Sequence, residues 1–586
     1  MNERILVCVA WPYANGDLHL GHLAGAYLPA DIFARYQRLR GNEVLMVSGS
    51  DTHGTPITLT AEQEGVSPTE IIERYHAHFL ESLTGFGITF DLFTHTDTEN
   101  HWEVTQDIFR RLLQNGYIYR ESTQALYCSH CSRFLPDRYV EGTCPFCGYD
   151  RSRGDQCDKC GKPINALELI EPSCRFCEHT PEVRETEHFF LDLAHFNQSL
   201  LDWLNTKDYW RPNVLNFSLN FVSDGLRGRA ISRDIDWGIP LPVAGYEDKR
   251  IYVWFDAVIG YLAATKEWAN ITGQPKAWHA WWDTDASCRA YYFIGKDNIF
   301  FHTISWPATL MGHGELMLPY DVPANEFLTL EGQKLSTSRN WAVWLPDYLE
   351  RYDPDPLRYM LSIHMPETSD IDFTWSEFLR RNNDELVATY GNLAHRVLTF
   401  AYRKFDQRVP EPGPLAQTDQ EILAIAEATF DPVADLLNGC KFKAAISRVM
   451  ALAHEANRYL DNAAPWLHIR ENPEKAATAT YVALRVIDSL KILLYPFLPF
   501  SSQKLHTTMG YEGNLLGDQY VESFDEATRS HTALRYRSYL TGDMWTPSNL
   551  QPGQRLNEPK ALFKKLDAEI VEEEVARMRS QGVTQA

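Results

Sequence analysis

The chain has 586 residues, 44% of them hydrophobic and 12% aromatic, enough for three or four domains with sizeable cores. A formal net charge of −23 excludes a protein that coats nucleic acid non-specifically, but not RNA binding through a local basic face. No apolar stretch approaches membrane-spanning length, and the N-terminal one stops at Pro12 and Asn15. Neither a membrane span nor a signal peptide is expected, and the cytoplasm is the default compartment.

Residues 1–118 read as alternating strands and helices. Ile5–Ala10 is expected to be a buried strand, with a helix starting near Leu18. Between them runs Pro12-Tyr13-Ala14-Asn15-Gly16-Asp17-Leu18-His19-Leu20-Gly21-His22. Strand, polar turn and helix start form the geometry in which an α/β protein holds a phosphate. The turn lacks the glycine pattern of a dinucleotide fold and the Gly-Lys-Thr of a P-loop. It offers instead two imidazoles on one face of the first helical turn, with Gly21 leaving room for a flat ring between them. Alone, the same residues read more readily as a turn with surface histidines. A second strand, Glu43–Ser48, leads to Gly49-Ser50-Asp51-Thr52-His53-Gly54 at the carboxyl edge of the sheet, where ligands of such folds bind.

Eight of the eleven cysteines form four C-x-x-C pairs between Cys128 and Cys177. Such clustering in a chain of this kind reads as metal rather than disulfide, with redox or free thiols as the alternative. Nested pairing is the preferred connectivity. It joins Cys144 and Cys147 to Cys157 and Cys160, and Cys128 and Cys131 to Cys174 and Cys177. Each set would make a closed, structural tetrathiolate zinc site, giving one or two ions. From about 226 the α/β character returns. Ile251–Phe255 and Tyr291–Ile294 are expected strands, ending in Asp256 and in Gly295-Lys296-Asp297. Gly332-Gln333-Lys334-Leu335-Ser336-Thr337-Ser338 is a small-residue loop with one lysine. Beyond about 380 the apolar spacing is helical, with a Pro-rich break at Pro410–Pro414. A bundle is expected to about 545, then a surface helix from Ala561 to about Arg579.

Paired with the His19-Leu20-Gly21-His22 turn, the Lys334 loop resembles the two signature motifs of class I aminoacyl-tRNA synthetases. Ala10–Gly16, Gly54-Thr55-Pro56, Trp254-Phe255-Asp256-Ala257, the knuckle insertion, Asn392–Arg396 and Ala464-Pro465-Trp466 narrow the likeness to the methionyl-tRNA synthetase family over essentially the whole chain. The resemblance implies a doubly wound, Rossmann-like catalytic domain split by a zinc-knuckle insertion, followed by an α-helical anticodon-binding bundle. The expected parts are 1–118 and 226–325 (catalytic), 119–225 (knuckle insertion), 326–380 (signature loop and stem contact), 381–545 (anticodon) and 546–586 (tail helix).

It further implies that ATP, carried with Mg²⁺, and L-methionine form methionyl-adenylate, and that the methionyl group passes to the 3′ end of tRNA(Met). His19 and His22 would stabilise the reacting phosphate, Gly21 would admit adenine, Asp297 would bind the ribose, and Lys334 would hold the departing phosphates. The methionine pocket falls on Ala10, Trp11, Tyr13, Asp51, Trp254, Ala257, Tyr261 and His302, with Asp51 facing the ammonium group. Asn392, Arg396 and Trp466 would read the anticodon. The family's second loop lysine is replaced by Thr337; Arg339 is one substitute for its charge, and tolerance of its loss is the other. Arg380, Arg381, Arg403, Lys404 and Arg408 suggest a basic patch at this end. A monomer is expected. A non-catalytic tRNA-binding protein, a redox protein, and synthetases for leucine, isoleucine, valine or cysteine are the rival readings.

Overall fold

The computed structural model describes residues 3–136, 139–154, 157, 159–160, 164–336 and 340–583. Seven strands form the principal sheet: β1 (Arg4–Val9), β2 (Glu43–Ser50), β3 (Leu92–His95), β4 (Cys288–Gly295), β5 (Ala324–Asn325), β6 (Asp518–Asp525) and β7 (Ser530–Arg537). Their order is β5-β4-β1-β2-β3-β7-β6. The first five run parallel, with β1 central between β2 and β4. Ile5 to Val9 are buried on both faces, as a parallel strand between two helical layers must be. The sheet thus presents the carboxyl ends of β1, β2 and β4 along one edge.

The helices used below are α1 (Leu28–Leu39), α2 (Pro212–Ser223), α3 (Val253–Ile271), α4 (Asn392–Lys404), α5 (Phe442–Ala463) and α6 (Pro473–Leu494). Three sequence expectations fail. Ile251–Phe255 is not a strand: only Arg250–Ile251 pairs, with Ser232–Arg233, and α3 begins at Val253. Its apolar run continues as Val258 to Ala264, all buried, and a short apolar segment carries no period that separates strand from helix. The bundle also does not continue to about 545. Its last helix ends at Thr508, and β6–β7 then returns as a hairpin to the principal sheet, where β7 pairs antiparallel with β3 at Leu534 and Phe93. Nor is the segment from Ala561 a plain surface helix. Its helix spans Ile570–Val583, and buried Glu574 accepts two bonds from Arg351.

The sheet-bearing and helical parts meet at a buried charge cluster. Asp31 on α1 is fully buried; its Oδ2 accepts from Arg35 Nε at 2.8 Å and from Arg358 Nη2 at 2.6 Å. Its Oδ1 accepts from the Thr89 N–H and hydroxyl. Arg358 also donates to the carbonyls of Phe497 and Pro496, and Arg35 to Tyr495 Oη and to Gly87 O. Every polar atom of the carboxylate is therefore partnered.

Removing one member of such a buried set leaves uncompensated charge, at a cost of about 3–5 kcal/mol. Asp31→Asn should lower the unfolding free energy of the whole chain by that order, read from a urea titration as a lower midpoint, with native-like secondary structure below the transition. Burial opposes ionisation of Asp31, but Arg35 and Arg358 hold its folded pKa below the usual carboxylate range. Its stabilisation is therefore full above about pH 4 and is lost as pH falls through the depressed folded value. The variant should lose that acid-dependent component.

Candidate active site

At the end of β1 the chain turns through Pro12–Gly16 and enters a short helical turn, Leu20–His22, capped by histidines. His19 Nδ1 accepts from Gly21 N at 3.0 Å, and His22 Nδ1 accepts from His19 N at 3.2 Å. The two rings stack at 3.9 Å between centroids. Burial and the neighbouring His22 hold His19 well below the usual histidine pKa, and burial lowers His22 to about 4. Both rings are therefore neutral near pH 7. Because each Nδ1 accepts a backbone bond, each carries its proton on Nε2 as a free donor. A Cβ on Gly21 would come within 2.9 Å of both His19 Cε1 and Leu335 Cδ1, so any side chain there would displace the capping ring or the leucine.

That contact joins the turn to the Lys334 loop. Leu20 N donates to Val343 O and Leu345 N to Leu18 O, which ties 343–345 against the helix start. Lys334 itself is exposed on the two-residue strand Gln333–Lys334, with Nζ 5.7 Å from the Phe327 ring centre. Thr337 and Arg339 lie outside the described residues. Asp297 follows the end of β4, where a Cβ on Gly295 would stand 2.7 Å from its Oδ1. Neighbouring Lys296 is paired with Glu326 and Asp370.

A second cluster lies beneath the ends of β1 and β2. Asp51 is 2% exposed; its backbone is locked to Pro12 and Ala14, and its Oδ1 accepts from His53 N at 3.2 Å. Burial, and then the Asp256 charge, raise the Asp51 carboxyl well above its ordinary range. His53 Nδ1 lies 3.0 Å from Asp256 Oδ2, and both residues are buried. Trp11 stands edge-on to Tyr261 and fills the space left by Gly49 and Gly260. Tyr261 Oη donates to His302 Nε2 at 2.7 Å, while His302 Nδ1 donates to Asn298 O at 2.9 Å. Burial lowers His302 to about 4, consistent with that neutral tautomer. Tyr13 meets Trp254 edge-on, and Trp254 stacks on Phe301 at 4.4 Å. Ala257 is buried one turn further along α3, and Ala10 N is bonded to Phe293 O.

The structure thus gathers Ala10, Trp11, Tyr13, Asp51, Trp254, Tyr261 and His302 around one set of strand ends. His53, Asp256 and Phe301 belong to the same cluster and were not among the sequence candidates. His53 and Asp256 stood in quoted segments, but only the fold shows that their rings and carboxylates meet. Three π-helical segments occur among the described residues, at Leu23–Tyr27, Phe301–Ser305 and Arg381–Gly391. Each contains or abuts a candidate residue, a placement common for such wide turns.

The eight clustered cysteines form two groups. Sulfurs of Cys128, Cys131, Cys174 and Cys177 lie within 4.8 Å of one another, as do those of Cys144, Cys147, Cys157 and Cys160. Individual separations are 3.4–3.9 Å across the outer group and 3.6–3.9 Å across the inner one. Four thiolates placed about 2.3 Å from one tetrahedral ion lie about 3.8 Å apart, so each group fits one zinc. The outer group closes the long hairpin of Ile118–Cys128 with Glu182–Leu191. Gly148, at φ +70°, supplies the tight turn after Cys147.

In the helical part, Arg396 on α4 places its guanidinium 4.7 Å from the Trp466 ring centre and pairs with Asp461. Asn392 begins α4, exposed, one turn earlier. Trp466 follows Ala464, which holds φ +35° and so breaks the chain direction after α5. Part of the expected basic patch is neutralised. Arg380 and Arg381 both bind Glu377 and Glu385, because three- to five-residue spacings put acids and bases side by side on this helix.

Residues 5–398 match the family model described as class I tRNA synthetases (M), and residues 409–583 match that of the anticodon-binding domain of methionyl tRNA ligase. The chain belongs to the methionyl-tRNA synthetase family. A methionine–tRNA ligase of Thermomicrobium roseum is 57% identical over 585 residues, covering 99% of this chain and 100% of the relative. One from Roseiflexus castenholzii is 54% identical over 594 residues, covering 99% of each. Among solved structures, Mycobacterium tuberculosis methionyl-tRNA synthetase in complex with methionyl-adenylate superposes with a TM-score of 0.75 at 25% identity, covering 96% of this chain and 100% of that one.

The capped histidines give a direct test. In a ¹⁵N-histidine titration, His22 should remain neutral with an Nε2–H tautomer through pH 6 and titrate near pH 4. A midpoint near 6.5 would contradict the capping geometry.

Proposed function

We infer that this chain is a methionine–tRNA ligase, which activates methionine with ATP and transfers the methionyl group to the 3′ end of its tRNA. Full-length membership of the family carries that reading, and the strand-end site supplies its chemistry. The methionine carboxylate attacks the α-phosphorus of ATP, forming methionyl-adenylate and releasing pyrophosphate. A terminal ribose hydroxyl of tRNA then attacks the carbonyl carbon and AMP leaves. The amino acid brings its own nucleophile, so catalysis rests on alignment and charge stabilisation.

The Nε2–H groups of His19 and His22 donate to the α-phosphate as it gains charge. Gly21 lets the adenine approach the backbone, Asp297 accepts from the ribose, and Lys334 follows the pyrophosphate that enters as the Mg²⁺–ATP complex. The methionine thioether packs among Trp11, Tyr13, Trp254, Ala257 and Tyr261, with Ala10 at the strand end. The Tyr261–His302 pair holds the polar end of that pocket. Asn392, Arg396 and Trp466 take the anticodon, the indole stacking on a base. Two structural zinc ions close the knuckle insertion, one in each tetracysteine group.

The Asp51 carboxyl, raised by burial and by Asp256, resists ionisation until the α-ammonium group arrives. A cation at that position favours the carboxylate, so methionine binding near neutral pH should release a proton. Calorimetry in buffers of different ionisation enthalpy measures this directly. Near-zero proton release would show Asp51 already ionised in the empty site.

Two measurements test the reading itself. Pyrophosphate exchange into ATP should require methionine and should not proceed with leucine, isoleucine, valine or cysteine. Elemental analysis should give two zinc atoms per chain, falling to one in Cys147→Ser/Cys160→Ser. A folded, zinc-loaded chain without methionine-dependent exchange would turn the assignment to a non-catalytic tRNA-binding protein.

A further inference from the structure

In a chain of net charge −23, α2 is unusual: Pro212–Ser223 contains no Asp, Glu, Lys or Arg. Val214, Ser218 and Val222 form its buried side, while Asn216, Phe217, Asn220 and Phe221 are exposed. Phe217 and Phe221 are 42% and 41% exposed. Four residues apart, they stand one above the other, with ring centres 5.9 Å apart and planes inclined by 29°.

These rings begin a continuous aromatic path into the active site. Phe221 meets Phe300 at 5.0 Å, Phe300 meets Phe301 at 5.3 Å, and Phe301 stacks on Trp254 at 4.4 Å. Arg229 lies over the path, its guanidinium carbon 4.6 Å from the Phe300 ring centre. Arg227 is exposed beside it in sequence. The buried side of α2 is fixed to the same site: Ser218 Oγ donates to Thr303 Oγ1 at 2.8 Å, one residue from His302. The helix therefore stands at a set distance from the methionine pocket.

We propose that the Phe217–Phe221 face of α2, with Asn216, Asn220 and the Arg227–Arg229 strip, is a stacking platform for the unpaired 3′ nucleotides of tRNA. The proposal rests on the ligase reading, since methionyl transfer must bring that end to Trp254 and His302. Single-stranded bases stack on aromatic faces whatever their sequence, amides bond to base edges, and arginines meet the phosphates. No acid lies within α2 itself, and exposed Asp224 follows only at its C-terminal end, so the Phe217–Phe221 face meets a polyanion without a carboxylate between its rings. The aromatic path gives the strand a route that ends at the reacting carbonyl.

The experiment uses the full-length, zinc-loaded chain with Phe217→Ala, Phe217→Trp and Phe217→Ala/Phe221→Ala. Methionine-dependent pyrophosphate exchange and kcat/KM for tRNA in aminoacylation are measured side by side. Each lost stacking partner should reduce kcat/KM for tRNA by roughly five- to a hundred-fold, while Phe217→Ala leaves exchange within about twofold of wild type. Phe217→Trp should restore aminoacylation. Binding of tRNA trimmed of its unpaired 3′ nucleotides should be the same for wild type and Phe217→Ala. Unchanged kcat/KM with exchange intact would overturn the platform alone, as would equal loss of exchange in Phe217→Ala. Absent exchange in the wild-type chain would overturn the ligase reading and the platform with it.

Discussion

Asp31 is the point on which the spatial relation of the two halves depends. One carboxylate on the first long helix binds two arginines, and those arginines in turn hold the backbone carbonyls at 86–87 and 496–497 and the Tyr495 hydroxyl. Catalytic sheet and helical bundle are joined here by directional bonds rather than by apolar contact alone. Apolar surfaces can slide over one another at small cost, whereas a guanidinium held by several oxygens cannot. A ligand that spanned the strand-end cluster and the Arg396–Trp466 contact would thus meet two points at a set separation. For a long, stiff ligand such as a folded RNA, that separation is itself a selection criterion.

Within the catalytic half, the same economy joins the histidine turn to the lysine loop. Gly21 is crowded by His19 on one side and Leu335 on the other, and the 343–345 segment hydrogen-bonds to residues 18 and 20. Movement of the loop must therefore pass through contacts with the helix cap. The histidines are not free-standing donors: their Nδ1 atoms close the cap, so orientation of their Nε2 protons and integrity of the helix start are one property. This explains why imidazoles rather than lysines can serve there. A lysine has no acceptor with which to close a cap.

Much of this was legible in the sequence, and the misses have physical causes. β1, β2 and β4 were readable because strands buried on both faces are uninterrupted apolar runs. The two tetracysteine groups were readable because metal-ligand spacing is short-range and chemically specific. Ile251–Phe255 misled because five apolar residues have no period, and the helical continuation from Val258 is buried all round rather than on one face. The His53–Asp256 contact and the Asp31 cluster join residues hundreds of positions apart, and no local pattern announces such pairings. Arg380 and Arg381 looked like a basic patch because composition counts charges, while the fold pairs them with Glu377 and Glu385.

The β6–β7 hairpin carries a consequence for how the chain is made. β3 is the outer parallel strand, and its partner Leu534 is synthesised more than four hundred residues after Phe93. Until then the nascent sheet keeps an open edge of unpaired backbone groups, the kind of edge that recruits other strands. Domains emerging from a ribosome fold in order from the N-terminus, so the parallel core can assemble while this edge waits. Arg535 bonds to Asp91 O, His76 to Thr532 O and His531 to Glu267 only when the hairpin arrives. A late step of folding in this protein is thus the sealing of its first domain, and a chain truncated before residue 530 would leave the ribosome with that edge still open.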